Sequence, residues 1–151
     1  MIENSADAWP LSGLEDAFLV IEAPVAGSIP RFEVFFADDA TTEKIGPVRS
    51  ARPYYLDWAD ELDAVYAHVG GSPEALALIR SLGVKDLDQF HNAGAYQRIG
   101  SRAAPHNVYT SMAALNQLEA AKGYNKSTFT SIKRKQPAPS KAPNAKGINV
   151  N

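Results

Sequence analysis

The sequence predicts a mixed β-sheet packed by amphipathic helices, α/β or α+β in class, in a single domain followed by a basic C-terminal linker. Three observations carry this expectation. Short runs rich in β-forming residues alternate with helix-spaced apolar stripes, the pattern of a sheet covered by helices. The chain has 151 residues, one ordinary domain's worth, and 45% of them are hydrophobic against 21% charged, as in globular proteins. No apolar run approaches the roughly 18 residues that a membrane-spanning helix needs.

The elements follow in chain order. Met1-Ile2 before Glu3-Asn4 reads as the last residues of a strand whose earlier part is expected upstream. Ser12-Gly13-Leu14-Glu15 matches the S-x-x-E capping box and predicts a short helix near Leu14 to Ala17. Phe18 to Glu22 and Arg31 to Phe36 are strand-length β-forming runs. The segment between them, marked by Pro24, Gly27 and Pro30, is too short for a crossover helix, so the pair is expected to be antiparallel. Ser50 is the expected N-cap of a helix with Pro53 in its first turn and Tyr55, Trp58, Ala59 and Leu62 on its buried stripe. Asp63 to Val69 predicts a third strand, ending at Gly70-Gly71-Ser72-Pro73. There Ser72 caps, Pro73 opens a second helix with Ala75, Leu78, Ile79 and Leu82 facing inward, and Gly83 closes it. Asp86 to Arg102 is polar and expected to be irregular, and His106 to Thr110 reads as a short strand. Ser111 then caps a last helix with Met112, Leu115 and Leu118 on one face, closed by Gly123.

Charge divides the chain. Residues 1–120 hold eight Lys/Arg and all 17 acidic residues, whereas residues 121–151 hold seven Lys/Arg and no acid. Residues 1–124 are therefore the expected folded body and 125–146 a flexible, basic, Pro-containing linker with too little apolar surface to offset its conformational entropy. Gly147 to Asn151 alternates like the start of a strand, the expected beginning of a second domain. The basic tail is read as a solubilising linker, an acidic body argues against broad nonspecific DNA binding, and no specific nucleic-acid partner is expected.

Several blocks then bear on family. Ile45-Gly46-Pro47-Val48-Arg49-Ser50-Ala51-Arg52-Pro53 and Ala104-Pro105-His106-Asn107-Val108-Tyr109-Thr110 are the most specific, joined by Ser12-Gly13-Leu14, Glu22-Ala23-Pro24-Val25, Arg31-Phe32 and His68-Val69-Gly70-Gly71-Ser72-Pro73. In this order and spacing the chain resembles the YerB-like lipoprotein family of bacteria, over about residues 1–124, as the family's N-terminal domain. The family is classed as a domain of unknown function, so the resemblance implies no established activity. It implies an extracytoplasmic, membrane-anchored full-length form: relatives carry an export signal and a lipid-modified cysteine ahead of this domain and a smaller β-rich domain after a linker. The sequence in hand has no cysteine, so membrane association is expected only through an anchor outside it.

The absence of cysteine excludes disulfides, thiolate catalysis and Cys-ligated metal. His68, His91 and His106 have no metal-binding spacing, so neither metal nor cofactor is expected. His68, at a strand end in apolar context, is read first as a hydrogen-bonded core or rim residue. Arg49 and Arg52, three apart at a helix entrance, form a candidate anion site; pairing with the acids of the body is the competing reading. His91, Arg102, His106 and Asn107 bracket the polar segment and complete a candidate ligand-binding set. Glu22 and His106 are the candidate catalytic pair, with Glu3 and Glu22 as a second carboxylate arrangement suited to glycoside chemistry. Two functions stay open. One is a cell-envelope domain binding a polar or anionic small molecule, a cell-wall polymer or a protein; the other is a hydrolase of glycosidic or phosphodiester bonds built on a carboxylate, His and Arg cluster. Convergence of Glu22, Arg49, Arg52, His91 and His106 in one cleft would favour the enzyme.

Overall fold

The computed structural model describes residues 1–25, 27 and 29–130; the remainder of the expected linker, 131–146, and the strand-like end at 147–151 lie outside the described residues. Strands β1 (Ile2–Glu3), β2 (Leu19–Pro24) and β3 (Pro30–Phe35) form an antiparallel sheet in the order β1-β3-β2. The β2–β3 pairing is the antiparallel one expected from the short connection, with Val20 opposite Val34 and Glu22 opposite Phe32. Helix α1 (Pro53–Glu61), strand β4 (Val65–His68), helix α2 (Pro73–Leu82) and strand β5 (Lys85–Asp88) follow, and β4 pairs with β5 in parallel. Strands β6 (Gln97–Arg98) and β7 (Val108–Tyr109) form an antiparallel pair ahead of helix α3 (Met112–Lys122). Parallel and antiparallel pairings thus coexist in one α+β domain, as expected.

Cap chemistry separates the helices that read correctly from those that did not. Ser72 and Ser111 each accept a hydrogen bond from the backbone N–H three residues on, and Gly83 and Gly123 close α2 and α3 in the left-handed conformation. Ser50 does not cap α1. Its carbonyl accepts from Arg31 Nη1 at 2.6 Å, and the N-cap is Arg52, which makes no side-chain cap bond. The capping box at Ser12 fails for a related reason: Ser12 and Gly46 exchange backbone hydrogen bonds, leaving Gly13 to precede a single 3-10 turn. Leu82, assigned to the buried stripe of α2, is 50% exposed at the last turn. Strand β5 takes up the first three residues of the segment expected to be irregular, Asp86 to Asp88, and β6 lies within it.

The sheet of β1, β2 and β3 has apolar material on both faces. One cluster joins Met1, Tyr55, Leu56, Ala59, Tyr66 and Ile79, with Trp58 and Leu78 packed at its margin. The other joins Ile2, Ile45, Val48, Val108 and Met112. Tyr55 ties α1 to the sheet, because its hydroxyl lies 2.8 Å from the Ala23 carbonyl and 2.7 Å from that of Arg31, which are cross-strand partners. Burial pushes the Tyr55 hydroxyl up to about 12. Beyond α3, Lys126 and Thr128 hydrogen-bond to Lys85 and Asp63, laying residues 124–129 against the body.

Candidate functional site

β1 places Glu3 on the sheet face opposite Ile2, directly across from Arg31 on β3. Only 4% of Glu3 is exposed, and the carboxylate holds three neighbours together. Ser5 Oγ donates to Oε1 at 2.9 Å, His106 Nδ1 lies 3.0 Å from Oε2, and Arg49 Nε lies 3.5 Å from the same oxygen. Arg49 also reaches the Pro105 carbonyl, joining the two most specific sequence blocks at this point. A carboxylate on Nδ1 selects the tautomer with a proton there and leaves Nε2 as the ring's acceptor.

Arg31 lies alongside. Burial pulls its guanidinium down to about 10, with the charges of Arg52 and Arg49 adding to the effect. Three guanidinium groups therefore gather at the start of α1. Among the described residues Glu3 is the carboxylate that bridges to one of them. Arg52 donates to the Ala51 carbonyl at 2.7 Å.

Arg49 and His106 thus meet on Glu3, and Arg52 stands near Arg31 at the start of α1; the other expected site residues do not join them. Glu22 is exposed on the opposite face of the sheet, where it accepts from Asn4 Nδ2 at 2.7 Å, so Glu3 and not Glu22 is the carboxylate partner of His106. Alternation along paired strands separates Glu3 from Glu22, which also rules out their pairing as a glycosidase dyad. Arg102 donates to the carbonyls of Ala8 and Pro10, a clamp on the N-terminal loop. Asn107 accepts from Arg98 Nη1 at 2.9 Å, and His91 is exposed in the turn after β5. Convergence of the expected residues is therefore partial, and neither of the two main cavities in the described residues is lined by them. Arg31 and Glu3 complete what the arginine and histidine motifs began; Glu3 is 103 residues from His106, and the signal for their meeting was the strand register.

His68 forms a second polar constellation, fully buried. Its Nδ1 lies 2.7 Å from the Gly70 carbonyl and its Nε2 2.9 Å from Asp86 Oδ1. Burial pushes the Asp86 carboxyl up, but the hydrogen bonds from His68 and the Asp88 backbone N–H, with nearby positive charge, together more than offset it and leave it below the ordinary range. Asp88 accepts from the backbone N–H groups of Gly70 and Phe90. These bonds pin the turn between β4 and α2, so His68 is the hydrogen-bonded core residue that its apolar context predicted.

Comparison with known proteins follows the same outline. The family model described as "Protein of unknown function (DUF3048) N-terminal domain" matches residues 1–125. The chain is 34% identical over 125 residues to "Putative lipoprotein YerB" of Bacillus subtilis (strain 168), which covers 82% of this chain and 38% of that protein. A crystal structure of YerB from Bacillus subtilis superposes with a TM-score of 0.76 at 34% identity, covering 82% of this chain and 43% of the solved one. The chain thus spans about two fifths of the length of these relatives. The matched region holds every strand and helix described above and both arms of the Glu3 cluster, and the chain belongs to the DUF3048 N-terminal domain family, a family of unknown function.

Proposed function

We propose that this domain is an extracytoplasmic binding module that recognises an anionic group on a small molecule, a wall polymer or a protein at the Arg49, Arg52 and His106 cluster. The observation that carries the reading is the excess of cation over anion: Arg31, Arg49 and Arg52 stand together with Glu3 as the bridging carboxylate. A ligand phosphate or carboxylate supplies the second negative charge, and the guanidinium forks give it directed hydrogen bonds. The envelope location rests on the lipoprotein description of the Bacillus subtilis relative. Among the described residues no helix is long and apolar enough to cross a membrane.

The hydrolase reading draws on one feature, the Glu3–His106 pair, which is the arrangement of an oriented general base. It is the weaker of the two, because the nearby Ser5 hydroxyl is spent on the Glu3 carboxylate and not on the imidazole. Calorimetric titration of inorganic sulfate and of a sugar phosphate at low ionic strength tests the binding reading. The native chain is expected to bind both, and Arg52→Ala to weaken binding about tenfold. Equal binding by the two proteins would remove the arginines from ligand recognition.

A further inference from the structure

The charges at the entrance to α1 do not balance within the chain. Arg31 is 5% exposed, yet among the described residues no carboxylate stands in ion-pair reach of it, and its Nε has no hydrogen-bond partner. Its Nη1 donates to the Ser50 carbonyl, which sets a buried positive charge two residues ahead of the Arg52 N-cap. Arg52 has no ion pair either, and its Nη1 donates to the Ala51 carbonyl. Every Asp and Glu of the chain lies among the described residues, so no other side-chain carboxylate of the chain is left to serve these two arginines. Glu3, which meets Arg49, is shared with His106.

The remaining titratable groups nearby do not alter the count at pH 7. Burial holds the Glu33 carboxyl at about 8 and the Tyr55 hydroxyl at about 12, so both keep their protons. Arg31, lowered by burial to about 10, stays charged. Three guanidinium charges therefore stand with one carboxylate, and a single added negative charge leaves the cluster still short. Helix α1 adds to the demand. Pro53 opens it, no side chain caps it, and the partial positive charge of its first turn lies beside Arg52.

We propose that this site selects a doubly charged terminal phosphate over singly charged anions, an inference that rests on the anion-binding reading above and narrows its ligand. A phosphate monoester carries close to two negative charges at pH 7 and presents three terminal oxygens. Arg49 and Arg52, less buried than Arg31, offer those oxygens paired N–H donors, and Arg31 supplies charge from within the fold. A phosphodiester, a sulfate ester or a carboxylate brings one charge only. It leaves a buried guanidinium uncompensated, where the low dielectric makes that costly.

Methyl phosphate and methyl sulfate are the probes, because they share size and three terminal oxygens and differ by one charge at pH 7. Each is titrated by calorimetry into the full 151-residue chain at low ionic strength. Methyl phosphate is expected to bind tighter than methyl sulfate at pH 7 by about tenfold or more, and dimethyl phosphate to bind as weakly as methyl sulfate. At pH 5 the preference should all but vanish, since a phosphate monoester loses its second charge near pH 6. Any change in the charge of His106 acts on both ligands alike and cancels in their ratio. Arg52→Ala should lower the ratio as well as both affinities, because it removes one of the surplus charges. Glucose 6-phosphate tighter than inorganic phosphate assigns an ester and the reverse order a free phosphate; both meet the two-charge requirement. Equal affinity for methyl phosphate and methyl sulfate at pH 7, or a ratio that does not change between pH 7 and pH 5, would overturn the proposal. If sulfate binds while that ratio is one, the anion-binding reading stands alone; if neither sulfate nor methyl phosphate binds, both are lost.

Discussion

Glu33→Gln should stabilise this domain at neutral pH and leave its stability unchanged in mild acid. Glu33 is 3% exposed in the middle of β3, neither of its carboxylate oxygens has a hydrogen-bond partner among the described residues, and burial, opposed only in part by the Met1 amino group, pushes the carboxyl up to about 8 from an ordinary 4.5. The folded chain therefore keeps this proton at pH 7, while the unfolded chain releases it. A raised carboxyl pKa costs nothing below the unfolded value, because both states are then protonated. The cost grows as pH rises from about 4.5 to about 8 and is constant above. Each pH unit in that window favours the unfolded chain by about 1.4 kcal/mol, so the penalty at pH 7 is about 3 kcal/mol. Glutamine has nearly the same shape as a protonated glutamate and does not titrate, which makes the substitution a clean removal of the linkage. Urea unfolding followed by circular dichroism at pH 4 and pH 7 measures it. The difference between variant and native chain should be near zero at pH 4 and about 3 kcal/mol in the variant's favour at pH 7. A pH-independent difference, or a variant less stable at pH 7, would show that Glu33 is ionised and partnered, and would refute the argument.

Two more predictions concern the frame. Gly46→Ala should destabilise by about 2–4 kcal/mol in thermal unfolding, because Gly46 has φ of +148° and an added Cβ would stand 2.8 Å from the Tyr109 ring and 2.9 Å from the Val108 carbonyl oxygen; Gly94→Ala, with open space around the new carbon, is the control. Asp63, held down to about 2 by the hydrogen bond from Lys85 and those from Thr128, supports residues 124–129 above its ordinary 3.8 and loses that hold as pH falls toward 2. Protease nicking at residues 124–129 should accordingly rise between pH 4 and pH 2 for the native chain, and Asp63→Asn should be nicked at pH 7 as well.

What could be read from the sequence was what local chemistry decides. α2 and α3 were legible to the residue because serine caps and glycine stops act within one turn of the chain, and the β2–β3 hairpin because a short connection admits only one strand direction. β5 was not legible, since Lys85-Asp86-Leu87-Asp88 offers one apolar residue to a pattern that needs alternation. Its acids are tolerated because the fold supplies their partners, His68 for Asp86 and the Gly70 and Phe90 amides for Asp88. The same limit applies to the site. Arg49, Arg52 and His106 stood out by residue type and motif, but Glu3 could be matched to His106 only once β1 had been placed beside β3. Arg102 has the same chemistry as Arg49 and a different role because its guanidinium meets two carbonyls of the N-terminal loop. Residue type names candidates; the register decides among them.

The two blocks that carry the family resemblance are one structural unit, which is a physical reason for their occurring together. Ile45 and Thr110 exchange backbone hydrogen bonds, Val48 N–H donates to the Val108 carbonyl at 2.7 Å, and Gly46 has no side chain because the Tyr109 ring and the Val108 carbonyl occupy its place. Ile45, Val48 and Val108 then share one apolar cluster with Ile2 of β1. The residue after Ile2 is Glu3, whose carboxylate meets Arg49 from the first block and His106 from the second. A change at Gly46 would therefore be felt at the ion cluster without touching any of its side chains, because the backbone bonds that bring the two blocks together also set the distance between Arg49 and His106. The polar site is the surface expression of that strand pairing, and its geometry is as firm as the buried valines beneath it.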